Sequence, residues 1–310
     1  MVCSVMARQD SPVQETNIKG SGFAFAFTAA LLFGVSGAIA SDALVEISSS
    51  RAAQSRAIVA VVILLPYAWY RGKLAARAPW TLLLLFGASL TAVNAAYYEA
   101  VDRIGVGPGM TLQFLAPIVV LLWMRSVEGK AVRRSTWCAA SVALVGTGLI
   151  AEVWHVADMD LIGIGAGLVS ALTFAAYLIV GEKLGKTMAP SGIMAYGFAI
   201  SALMWAVLQP MWSFPTDLST KVWVELAWMG LIGTAIPFML ELQALQRASA
   251  GLVGMIATAE PVIGAIAVWL MFSQTMAPVQ IAGMVLIVLA VASVQQRGVA
   301  EVEVPLDAGR

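Results

Sequence analysis

Ten apolar windows, each close to 20 residues long and joined by short charged connections, leave this chain few folds to choose from. They run roughly over residues 21–41, 54–71, 80–100, 107–125, 135–154, 161–182, 192–212, 223–246, 250–272 and 278–296. About 20 residues at a rise of about 1.5 Å cross the hydrocarbon layer of a bilayer, so each window predicts a membrane-spanning helix. Composition agrees: 60% of the 310 residues are hydrophobic and 12% are charged. That is about half the charge a soluble domain carries. The expected fold is an all-α integral membrane protein of ten transmembrane helices. Polar tails at 1–20 and 297–310 are expected to be mobile and cytoplasmic, with nothing left over for a soluble domain.

Lysine and arginine set the orientation. With the N-terminus inside, 14 of the 18 cationic side chains fall in the tails and inner loops, among them Lys73, Lys130, Lys183 and Arg247. The outer side keeps Arg51, Arg56, Arg103 and Lys221. Both termini are therefore expected in the cytoplasm. The loop after the fifth window, with Glu152, Asp158 and Asp160 and no cation, agrees. Ala38-Ile39-Ala40 before Ser41 resembles a signal-peptide cleavage site. Twenty residues precede that apolar run, however, and it is longer than a usual signal core, so it reads as a retained span.

Several functions are excluded. A formal net charge of zero offers no footprint for nucleic acid. Cys3 and Cys138 are too few and too distant for a disulfide framework or a metal site, and His155 has no Cys or His partner nearby. No HExxH, P-loop or GxSxG occurs, so neither an enzyme nor a metal or cofactor is expected.

The two halves of the chain can be laid over each other. Ala100-Val101-Asp102-Arg103 matches Ala244-Leu245-Gln246-Arg247 at an offset of 144, and the same offset carries Pro117 onto Pro261. Gly-rich stretches precede both prolines, at 104–110 and 248–255. Five spans per half is an odd number, so a second copy must insert upside down, giving inverted repeats over 21–154 and 161–296. Helices interrupted at corresponding places are the best sequence pointer to a transport site. The plainer reading is that Pro117 and Pro261 are ordinary membrane-helix kinks.

Ten spans, a 5+5 duplication and a proline in the middle of the fourth and ninth spans resemble the drug/metabolite transporter superfamily, specifically its EamA family, over about 21–297. The Glu260-Pro261 pair and the long apolar first half look most like the family's amino-acid exporters, with the aromatic amino-acid (YddG) type nearest. The resemblance implies a basket of ten helices around a central cavity, in the inner membrane, exporting small metabolites from the cytoplasm. It implies amino acids or related metabolites and membrane lipid as partners; a monomer fits the sequence, which leaves the oligomeric state open. Phe33 and Phe174 stand in the first and sixth spans where the family often has Trp. Glu128 fits the acid that commonly ends the fourth span, whereas the ninth ends in Ser273-Gln274.

A neutral amino acid is a zwitterion with a side chain, so its cavity needs a partner for the ammonium, donors for the carboxylate and an apolar wall. Thr91, Asn94 and Tyr98 recur at helical spacing in the third span, and Gln113, Phe114 and Pro117 do so in the fourth. Phe33, Phe174, Tyr177 and Phe238 bring aromatic surface, and Glu260 brings a carboxylate next to Pro261. The plainer alternatives are that the rings pack or face lipid, that Asn94 and Gln113 only join helices, and that Glu260 is a neutral acid bonded to the carbonyl Pro261 frees. The glycines of 163–167 read as close helix packing, and Trp69, Trp80, Trp212 and Trp223 as interfacial belts. Glu99 can meet water or Arg103, whereas Glu241 is deeper and partner-poor, a second functional acid on the rule that intramembrane acids serve function. Arg56 either snorkels outward or pairs with an acid to close the outer mouth. The expected function is export of neutral, bulky amino acids. Efflux of cationic amphipaths is the rival within transport, because Glu260 and the rings suit a cation too; an intramembrane enzyme or receptor-like protein is the rival outside it.

Overall fold

The computed structural model describes residues 12–39, 46–74, 78–155, 160–272 and 276–297, and among these every regular element is a helix. The outer parts of both tails, Cys3, Ser41, Asp158 and Ser273-Gln274 lie outside the described residues. The first half comprises α1 (Pro12–Ile39), α2 (Ser49–Tyr70), α3 (Trp80–Ile104), α4 (Val106–Gln113), α5 (Ala116–Ser126) and α6 (Arg134–Ile150). The second comprises α7 (Leu161–Gly185), α8 (Pro190–Leu208), α9 (Thr220–Gly230), α10 (Ile236–Leu245), α11 (Ala250–Ala257), α12 (Glu260–Phe272) and α13 (Pro278–Arg297). Eight helical stretches among the described residues are long and apolar enough to cross a membrane. The first helix adds the shorter apolar run Ser21–Ser36. It begins at Pro12, ahead of its apolar window, because a helix satisfies its own backbone and can continue beyond the apolar layer.

Local chemistry sets the boundaries. Ser48, Ser219 and Ser249 accept from backbone N–H groups of the following helices, and Asp160 accepts from Ile162 and Gly163 to start α7. The fourth and ninth spans are each cut in two, between α4 and α5 and between α11 and α12. Pro117 and Pro261 stand at the second position of the second piece in both cases. Each lacks the N–H that Gln113 or Ala257 would otherwise have met, and the chain tightens just before it: Leu115 donates back to Leu112, and Ala259 to Ile256.

The 144-residue offset now holds for whole elements. It carries the first residues of α4, α5 and α6 onto those of α11, α12 and α13. The halves interleave, with α3 packed on α7 and α8, α2 on α8, α1 on α10 and α12, and α6 on α13. Of the glycines of 163–167, two serve that packing, Gly163 against Arg103 and Ile104 and Gly167 against Leu112, whereas Gly165 faces open space because it lies on another side of the helix. Where α6 crosses α13, a Cβ on Gly146 would lie 2.7 Å from the Gly283 carbonyl, and one on Gly283 would lie 2.5 Å from the Gly146 carbonyl. Backbone cannot yield as a side chain does. Gly283→Val is expected to cost about 1–3 kcal/mol, seen as a lowered thermal midpoint of the purified protein in detergent. An unchanged midpoint would show that the two helices part freely.

Candidate functional site

One cavity sits where the two halves meet. Its lining is Phe33 from α1, Arg56 from α2, Val93, Asn94 and Tyr97 from α3, Met110 and Gln113 from α4, Phe174 and Tyr177 from α7, Phe238 and Glu241 from α10, and Glu260 from α12. Its free volume is about 110 Å³. The 144 offset pairs Phe33 with Tyr177, Asn94 with Phe238 and Tyr97 with Glu241, and all six line the same space. Duplication thus placed equivalent positions around one axis. The mates of Arg56 and Glu260 are Ile200 and Ala116, so these two charges depart from the repeat.

Aromatic rings form one wall. Phe238 is its hub, meeting Phe33 edge-on with centroids 4.9 Å apart and Tyr177 at 5.6 Å. Phe174 stacks behind Tyr177. These are the preferred edge-on and offset ring geometries.

The polar side is organised by hydrogen bonds. Tyr177 Oη donates to Glu241 Oε2 at 2.9 Å, so Glu241, only 3% exposed, has the partner that its sequence surroundings lacked. Asn94 donates to the Leu90 carbonyl, and Ser170 donates to Gln113 Oε1 at 2.9 Å. Glu260 opens α12, where a carboxylate suits the positive end of the helix. It lies within electrostatic reach of Arg56.

Seven of the ten residues expected to line the cavity do so, together with Glu241; Thr91, Tyr98 and Phe114 do not. Thr91 is turned into the contact with α8, where its hydroxyl meets Ser201 Oγ at 2.9 Å. Tyr98 is buried, and its Oη accepts from Arg56 Nη1. Phe114 sits in the turn that ends α4 and is swung into the core, 2% exposed. The two prolines lie at the helix breaks rather than in the lining. Arg56, Tyr97, Val93 and Met110 are the lining residues that periodicity missed. Arg56 neither snorkels nor pairs with an acid: among the described residues it makes no ion pair and is held inside the bundle.

At the membrane edges, Glu99 pairs with Arg103, which also reaches Asp160. Burial pushes the Glu128 carboxyl up, but the Lys130 ammonium at 2.8 Å and the Trp123 indole outweigh it and hold it below the usual carboxylate range. Trp69, Trp80, Trp212 and Trp223 are exposed, as belt residues must be.

Two related halves that line one shared cavity are the plan of many secondary transporters. The chain belongs to the EamA-like transporter family, whose profile matches residues 20–151 and again 161–295. It is a multi-pass protein of the inner membrane. Among its relatives is the threonine/homoserine exporter RhtA of Escherichia coli K12, 24% identical over 220 residues, spanning 67% of this chain and 68% of that protein. Another is the uncharacterized transporter YwfM of Bacillus subtilis, 24% identical over 218 residues, spanning 68% and 71%. A crystal structure superposes with a TM-score of 0.78 at 16% identity, over 89% of this chain and 96% of the other; this is a likeness of fold.

Proposed function

We propose that the protein exports neutral, bulky amino acids, aromatic ones included, by alternating access between two inverted five-helix halves, 21–154 and 161–296. In that reading there are ten spans, both termini are cytoplasmic, and the interrupted fourth and ninth spans bend at Pro117 and Pro261. The observation that carries it is that one cavity is lined both by Glu260 and by an aromatic wall of Phe33, Phe174, Tyr177 and Phe238. A carboxylate inside a membrane bundle calls for a cationic partner, and the ammonium of an amino acid supplies one while its side chain packs on the rings as they part. The likeness to a threonine/homoserine exporter supports amino acids as the class. The rings favour side chains larger and less polar than threonine.

One feature weighs against cationic amphipaths: Arg56 lines the same cavity and repels a cation that brings no anion of its own.

Uptake of a radiolabelled amino-acid panel into inside-out vesicles tests the proposal. Phenylalanine and leucine should accumulate faster than glycine and alanine. Phe174→Ala should lower the large substrates by up to about ten- to a hundredfold, the roughly 1.5–3 kcal/mol a buried apolar side chain is worth at most, and the small ones less. Equal rates across the panel, unchanged in the variant, would sink the substrate assignment. Cysteines placed at 130 and 186, where the side chains reach solvent, should label from the cytoplasmic side only; periplasmic labelling would invert the topology.

A further inference from the structure

Arg56 is a full positive charge in the interior of the bundle, and its setting is unusually specific. Nε donates to Thr234 Oγ1 at 2.7 Å, Nη1 to Tyr98 Oη at 3.0 Å and Nη2 to the Gly233 carbonyl at 2.9 Å. That carbonyl is free because its normal helical partner, four residues on, is Pro237, which has no N–H. The helix opens there into a π-helical turn over Leu231–Ala235, and Thr234 Oγ1 donates to the Met229 carbonyl. Such turns recur at functional sites. The eighth span is therefore remodelled around this one guanidinium. In the other half Val93 stands where Pro237 would be, and α3 is unbroken.

All three partners are neutral, and none cancels the charge. Glu260 is within electrostatic reach, but among the described residues no carboxylate forms an ion pair with Arg56, and an intramembrane charge that lines a cavity marks a ligand pathway by default. Of its five N–H groups three are used, which leaves one on each terminal nitrogen. Two such donors on a planar fork suit a carboxylate. Arg56 also borders a second, smaller cavity with Ala53, Phe198 and Trp205, so it stands between the central space and the next one along the bundle. With Glu260 in the same lining, a dianion such as a phosphate monoester would be repelled, whereas a monoanion that carries its own ammonium would not.

We propose that Arg56, seated by the Pro237 π-turn and Tyr98, is the fixed anchor of the substrate carboxylate, so that cargo lacking a carboxylate is rejected. This rests on the amino-acid reading and deepens it: Glu260 takes the ammonium, Arg56 the carboxylate, and the distance between them selects the α-amino acid.

The test is binding to the purified full-length protein in nanodiscs, with three probes that share a phenyl ring: phenylalanine, phenethylamine without the carboxylate, and phenylpropionate without the ammonium. Wild type should bind phenylalanine at least about tenfold tighter than phenethylamine, as loss of a charged hydrogen bond implies. Arg56→Gln should weaken phenylalanine and phenylpropionate but not phenethylamine, collapsing the ratio toward one. Arg56→Lys, which keeps the charge and loses the fork, should restore only part of it, and it guards against a folding defect when both variants elute as a single species. A purely structural Arg56 would weaken all three probes alike. If no amino acid of a full panel binds, the transport reading falls, and Arg56-dependent binding of phenylpropionate still decides the anchor. An unchanged ratio in Arg56→Gln, or no carboxylate-bearing probe bound in an Arg56-dependent way, overturns it.

Discussion

Glu260→Gln should cut export by about ten- to a hundredfold, since hydrogen bonds to charged groups are worth about 1.5–3 kcal/mol, while leaving the folded protein intact. Glu260 stands near the middle of the span Ala250–Met271, so neither membrane face is within reach of its side chain. It lines the cavity at the break between α11 and α12 and sees the Arg56 charge. Glutamine keeps the shape and a hydrogen-bonding oxygen and removes only the charge. Counterflow of labelled phenylalanine across proteoliposomes separates the readings. A carboxylate that merely decorates the start of α12 would lose the few tenths to 1 kcal/mol of a helix-terminus charge, and transport would continue. A carboxylate that receives an ammonium cannot be replaced in this way. Full activity in Glu260→Gln would remove it from the binding role.

Much of this site could be read before any coordinates, and the reasons are particular. Helical spacing picks out Asn94 in the third span and Gln113 in the fourth, and aromatic character picks out Phe33, Phe174, Tyr177 and Phe238 in three others; the 144 offset pairs Phe33 with Tyr177 and Asn94 with Phe238. Periodicity alone could not choose between Tyr97 and Tyr98, because both lie one turn from Asn94. Packing of α3 against α7 and α8 chose Tyr97 for the cavity. Phe114 was misplaced because a single period was run through a break; the turn before Pro117 rotates it inward. Arg56 was hidden by a general rule that sends arginine to the nearest interface. The signal that pointed elsewhere was Pro237, whose missing N–H leaves the Gly233 carbonyl in need of a donor.

Pro261→Ala should slow turnover roughly tenfold, about 1.4 kcal/mol on the barrier, while changing substrate affinity little. The α11–α12 break exists because residue 261 has no N–H for the Ala257 carbonyl, and alanine restores that donor. The two short helices can then run on as one. Thr258 and Ala259 already hold helix-like bonds back to Met255 and Ile256, so little else needs to move. Straightening would displace Glu260, the first residue of α12, only slightly in the resting state. In the alternating-access reading proposed above, it would remove the joint on which access to opposite sides of the membrane depends. Pro117 stands at the matching break of the other half, so Pro117→Ala should impair the same step, and the double variant should lose more than either alone. Single-turnover counterflow set against equilibrium binding distinguishes the cases. Weakened binding with normal cycling would mean that the proline only shapes the cavity. Unaltered turnover in both variants would mean that the helices bend elsewhere; the π-turn over Leu231–Ala235, already wider than an α-turn and tied to Arg56, would be the next joint to test.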